Sequence, residues 1–241
     1  MTAINILEHG AKGDGAANDA ASIQAAIDAC AAAGGGRVVV PAARIFCAGP
    51  IQLRSAVELH LEHASRLQAI PDRSLYTEEV LPPGWGDGTK WIHAFEAEDI
   101  AITGTGVIDG RGVAFMTEEL PHIYRTAVGR PFVLSIEACR RVTIRDMTLV
   151  DAPFWAVHLL GCEDVLISDI RILNNLKVPN CDGIDPHRCR NVRITGCHIE
   201  AGDDCICPKS EAGFEKYGAT EDIVVTGCTF VSTSCAIKLG S

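Results

Sequence analysis

Asp182, Asp203 and Asp204 carry the clearest chemistry in this chain. They lie in PNCDGIDPHRCRNVRITGCHIEAGDDCICPKS, residues 179–210. Clustered carboxylates are what glycoside hydrolysis requires: one protonated acid for the leaving group and one or more bases for a water. Three carboxylates on one face cannot all ionise cheaply. Repulsion raises the pKa of one and leaves a proton donor at mildly acidic pH. A solvated acidic turn or a calcium site is the competing reading of the Asp203–Asp204 pair. Asp185, three residues past Asp182, reads as structural, with its carboxylate on turn amides.

The elements that must position these acids are short strands. Between Asp182 and the pair lies the alternation Val192-Arg193-Ile194, a half-buried strand. Asp182 and Asp203 are 21 residues apart, about one coil of a solenoid. Equivalent positions in successive parallel coils stand roughly 4.7–4.9 Å apart, so the acids come side by side. An ideal strand would send Asp203 and Asp204 to opposite faces; Gly202 is expected to supply a bend that turns both to the cleft.

The same strand core recurs as Ile100-Ala101-Ile102, Val142-Thr143-Ile144, Val165-Leu166-Ile167, Val192-Arg193-Ile194 and Ile223-Val224-Val225. The last four are spaced by 23, 27 and 31 residues. A second short strand follows each core, and a third follows in several coils. This predicts an all-β parallel β-helix in a single domain over residues 1–241. Ile23, Ala26, Ile27 and Cys30 fall at helical spacing before a glycine run, predicting a capping helix in a cap of about residues 1–35. Residues 71–95 and 111–131 read as long loops. Packing of Trp85 and Trp91 onto the barrel is favoured over a sugar-stacking role.

The formal net charge of −10 argues against nucleic acid or a membrane surface as partner. No apolar run is long enough to span a bilayer. Any acidic substrate must be held by local basic groups. The eleven cysteines show no paired CxxC spacing, and Cys139, Cys162 and Cys189 each precede a strand core. They read as small buried hydrophobes rather than zinc ligands or disulfides. Neither a cofactor nor a metal is called for. No signal peptide is visible, which with the cysteine count favours a cytoplasmic location. A secreted or periplasmic protein with its signal removed is the alternative.

Four pieces make the resemblance specific. HGAKGDGAANDAASIQAAIDACAAAGGG, GPIQLRSAVELHLE, Asn180-Cys181-Asp182-Gly183-Ile184-Asp185 and Gly202-Asp203-Asp204-Cys205-Ile206 together resemble the polygalacturonase-type members of glycoside hydrolase family 28. The likeness spans essentially the whole chain. It implies a right-handed β-helix that hydrolyses α-1,4-galacturonosyl bonds of pectin with inversion. Asp203 would be the general acid, and Asp182 and Asp204 would hold and activate the water.

The resemblance gives the nearby cations a task, binding galacturonate carboxylates. Lys209 is the first candidate, because its position resembles a Lys found after the double Asp in bacterial members. His187, His158 and Lys238 are the others. There are two departures. Ser234 stands where the family's Gly-His-Gly motif has its His, which brings rhamnogalacturonan into consideration. The family's later coils and Arg-Ile-Lys motif are not found, so the chain reads as C-terminally incomplete and a poor enzyme in isolation. A pectate-lyase-like enzyme and an inactive carbohydrate-binding β-helix are the other functional readings.

Overall fold

Three ladders of apolar side chains run the length of the molecule, and each comes from one strand position per coil. Val38, Leu59, Ile102, Ile144, Ile167 and Ile194 are in register in the first sheet. Leu67, Ile108, Leu149, Ile172 and Ile199 do the same in the second. Ile51, Ile92, Leu134, Val157 and Ile184 form the third. All of these side chains are buried. Burying each contributes about 1.5–3 kcal/mol, and their alternation with outward residues fixes the strand register.

The computed structural model describes residues 2–81 and 87–240. The first sheet has eight strands: Thr2–Asn5, Gly36–Val40, Val57–Leu61, Glu98–Gly104, Arg140–Arg145, Glu163–Ser168, Arg190–Thr195 and Glu221–Thr226. The second also has eight, from Asp14–Asn18 to Thr229–Ser232. The third has Ile51–Gln52, Thr89–Phe95, Pro131–Glu137, Val157–Leu160 and Ile184–His187. Each coil visits the sheets in turn, and the pairing in all three is parallel, giving the expected β-helix.

The corners explain the variable coil length. Entry to the first sheet places Ala56, Asp99, Arg141, Asp164, Asn191 and Asp222 in the left-handed region, one per coil. Asp and Asn tolerate that conformation better than most residues. Such a fixed corner keeps the strands aligned while the loops between them vary.

Helix α1 spans Ala20–Ala32 and buries Ile23, Ala26, Ile27 and Cys30, as its spacing predicts. It is the sole α-helix among the described residues. Residues 71–95 are not one continuous loop: Thr89–Phe95 is a full strand of the third sheet, and Trp91 is buried on it. Trp85 lies outside the described residues. The segment 111–131 contains a short antiparallel hairpin, Met116–Glu119 with Tyr124–Thr126. All eleven cysteines are free thiols and nine are buried; Cys228 is half-buried and Cys235 exposed.

Candidate active site

The three acids are brought together on the third side of the helix, where its strands shorten to single bridges. Ile184 pairs with Ile206, and Ile206 with Ile237. Counting back two residues sets Asp182 against Asp204, not Asp203, as its partner in the next coil. The Gly183 N–H donates to the Asp204 carbonyl at 2.9 Å, which locks that register. Carboxylate oxygens of Asp182 and Asp204 lie within 4.8 Å of one another. The strand has already ended at Ala201, and the chain bends through Gly202 and Asp203. That bend lets both members of the pair line one cleft. A side chain at Gly202 would meet the Val178 carbonyl at 2.5 Å, so the bend packs directly against the preceding coil.

The cleft has a volume of about 410 Å³. Asp182, Asp203 and Asp204 form its floor with Lys209, and Trp155, Phe154, Arg130, Asn180, Asp87, Glu211 and Lys238 line it too. Asp182 and Asp204 are buried, whereas Asp203 is half-exposed. The more accessible carboxyl is thus the one the family resemblance makes the proton donor. The Asn180 amide donates to Asp203 Oδ2 at 3.4 Å.

Burial pushes the Asp182 carboxyl up to about 6; Lys209 opposes this, and Asp203 and Asp204 add to it. Burial also works to raise Asp204, but the Ser234 hydroxyl and the Lys238 ammonium outweigh it and hold that carboxyl below its ordinary value. Two carboxyls of like chemistry are therefore driven apart by their surroundings. Asp182, Asp204 and Cys207 also present donor atoms close together. The ammonium groups of Lys209 and Lys238 already lie against these carboxylates, so the charge a cation would neutralise is met by the protein.

Of the four cations read as substrate ligands, only Lys238 faces solvent. Its side chain is 49 % exposed, and its ammonium lies 3.1 Å from Asp204 Oδ2. Lys209 is on the cleft floor but buried, with its ammonium 3.2 Å from Asp185 and 3.6 Å from Asp182. His158 and His187 do not reach the cleft. Both are fully buried. His158 is stacked on Phe132, with ring centroids 4.5 Å apart, and Trp155 meets it edge-on at 5.3 Å. His187 meets Phe214 edge-on at 4.6 Å. Burial pushes the His158 imidazole well below its ordinary pKa and that of His187 down to about 4. Neutral and enclosed, neither can bind a carboxylate. Asp185 also differs from expectation: its partner is the Lys209 ammonium rather than turn amides.

Two residues that brace the site were not evident in the sequence. Arg130 is buried and uses every guanidinium N–H. Two donate to Asp87 Oδ2, one each to the carbonyls of Pro153 and Pro179, and one to Asn180 Oδ1. It thereby ties three coils together at the mouth of the cleft. Asn174 accepts from the Ala152 N–H and donates to the Cys181 carbonyl, pinning the turn before Asp182. Neither residue has a periodic signal; their loop positions were the only hint.

Comparison with known proteins settles the family. Residues 30–237 match the model of glycosyl hydrolases family 28. The chain belongs to this family. It is 31% identical over 255 residues to a probable polygalacturonase of Vitis vinifera, covering 98% of this chain and 51% of that protein. Among solved structures it is similar to a hyperthermoactive exopolygalacturonase from Thermotoga maritima, with TM-score 0.83 and 29% identity over 98% of this chain and 62% of that one. A putative glycosyl hydrolase from Parabacteroides merdae shares the fold, with TM-score 0.78 at 23% identity over 95% of this chain and 98% of that one. The family 28 chain described here spans about half the length of the curated relatives it matches.

Proposed function

We propose that this chain carries the catalytic acids of an inverting glycosidase acting on the galacturonan backbone of pectin. The observation that carries the reading is the arrangement of three acids in one cleft, with a close, buried Asp182–Asp204 pair beside a more open Asp203. Family membership and relatives named polygalacturonase support it.

In this reading Asp203 gives its proton to the glycosidic oxygen as the bond to the anomeric carbon breaks. A water held by Asp182 and Asp204 attacks that carbon from the opposite face, and its proton passes to one of those two carboxylates. Asp204 is held ionised by Ser234 and Lys238, which suits it to orient the water. Lys238, half exposed at the edge, is placed to meet a uronate carboxylate. Ser234 at the position of the family's His supports a second reading, rhamnogalacturonan as the backbone.

Reducing-end release from polygalacturonate and rhamnogalacturonan, measured for the parent and for Asp203→Asn, tests the proposal. Cleavage of polygalacturonate by the parent alone is the expected result. Cleavage of rhamnogalacturonan alone moves the assignment to the second reading. Equal cleavage by both proteins removes Asp203 from its role.

A further inference from the structure

Lys209 is in the cleft floor, yet its ammonium is fully engaged with the protein. It lies 3.2 Å from Asp185 Oδ1, 3.6 Å from Asp182 Oδ2 and 3.3 Å from Cys207 Sγ. Its remaining side is closed by the Trp155 ring, with the centroid 4.2 Å away. Among the described residues its hydrogen bond is to Cys207 Sγ, the two carboxylates hold the ammonium at ion-pair distance, and only 8 % of the side chain is exposed, which leaves it little access to a sugar.

Asp185 is the reason this arrangement must hold. Its carboxyl is fully buried, and neither oxygen has a hydrogen-bond partner among the described residues. Lys209 is the sole counter-charge found against it there. A buried carboxylate without a cation is strongly unfavourable, so the two residues are kept as a unit. The unit is also placed by the fold: His187 and Lys209 bridge between coils, and Asp185 stands two residues before His187.

We propose that Lys209 is a positioning residue rather than a substrate ligand, and that with Asp185 it forms an internal counter-ion pair that seats Asp182 against Asp204. This rests on the proposed hydrolase reading for its purpose, but not for its geometry. The pair holds the Asp182 carboxyl from beneath while Asp203 and Asp204 crowd it from the cleft side. Lys238 acts on Asp204 from the next coil, Glu211 lines the same cleft, and Cys207 lies under Lys209. The two neutral imidazoles, His158 and His187, close the back of the site and supply no charge. Against its burial, Asp185 and Asp182 raise the pKa of the Lys209 ammonium, whereas burial and the Asp182 charge push the Asp185 carboxyl up against the pull of Lys209.

The test uses Lys209→Met, Asp185→Asn and the double variant. Melting temperature, affinity for trigalacturonate and the side-chain 13C titration of Asp182 are measured for each. Lys209→Met alone is expected to melt far below the parent, and adding Asp185→Asn is expected to restore most of the loss. In Lys209→Met Asp182 should titrate higher than in the parent by about one pH unit, since it loses the cation that opposes the effect of its burial. In the double variant affinity should stay within about threefold of the parent, because no substrate contact has been removed. The proposal is overturned if the double variant melts no higher than Lys209→Met, or if Asp182 titrates as in the parent while affinity falls more than tenfold. A parent that shows no turnover and no trigalacturonate binding, with the melting and titration results as expected, overturns the hydrolase reading and leaves the counter-ion pair standing.

Discussion

The Lys238 ammonium lies 3.1 Å from Asp204 Oδ2, reaching it from the next coil while half of its side chain stays in solvent. One residue thus serves the interior and the surface of the cleft at once. Replacing it by Met removes a charged contact worth about 1.5–3 kcal/mol to a bound carboxylate. The KM for oligogalacturonide should rise roughly 10–100-fold. The acid limb of kcat should also move up, since Asp204 keeps Ser234 but loses the Lys238 ammonium that helps hold it ionised. Steady-state kinetics across pH checks both.

Asp182 sets a second pH dependence. Its carboxyl, ordinarily at 3.8, titrates at about 6 in the fold because it is buried. In the proposed mechanism Asp182 must be ionised to orient the water, so kcat/KM should rise with pH through about 6. The stability effect has the opposite sense. The folded chain holds this proton more tightly than the unfolded one, so the contribution is full below 3.8 and is lost as pH rises through about 6. At neutral pH the ionised side chain costs up to roughly 3 kcal/mol. Asp182→Asn should therefore abolish turnover and yet melt above the parent at pH 7. Thermal melts at pH 4 and pH 7 check it: the gain should be present at pH 7 and nearly absent at pH 4.

His158 makes a contrasting case. Both ring nitrogens are buried without a hydrogen-bond partner among the described residues. Its pKa is depressed by burial, so the stability it contributes is present above the unfolded value of 6.5 and lost as pH falls below it. His158→Leu should leave KM within about twofold of the parent, because the ring never reaches substrate. It should also flatten the loss of melting temperature between pH 7 and pH 5. A KM increase of tenfold or more would restore His158 to the binding surface.

Gly202 tests the bend that aims the acids. A methyl there would sit 2.5 Å from the Val178 carbonyl and 2.9 Å from Cys181 Sγ, neither of which can swing away freely. Gly202→Ala should cost about 1–3 kcal/mol and displace Asp203. A lowered denaturation midpoint together with at least a tenfold loss of kcat is the expected pair of results.

Much of this could be read from the residues. The VxI cores give their period directly, because each coil places one apolar pair inside, and this is why Ile144, Ile167 and Ile194 lie in register as expected. The two acidic motifs are local, so their convergence followed once the coil length was known. What failed was orientation across coils. Nothing in the sequence near His158 or His187 says that Phe132, Trp155 and Phe214, from other coils and loops, enclose them. Trp91 was assigned to a loop because the Pro- and Gly-rich stretch before it masks the start of the strand at Thr89. Arg130 and Asn174 act through carbonyls and turns distant in sequence, and such contacts leave no periodic trace. Lys209 was placed in the site, but its contact with Asp185 was not foreseen, since the burial that brings the two together is a property of the coil stack.

The most direct test of the central claim is the anomer released in the first minutes of oligogalacturonide cleavage, followed by proton NMR. Attack by a water seated on Asp182 and Asp204, opposite to protonation by Asp203, predicts the β-anomer first, with the α-anomer growing only by mutarotation. Initial release of the α-anomer, or an unsaturated product absorbing in the ultraviolet, would contradict the account.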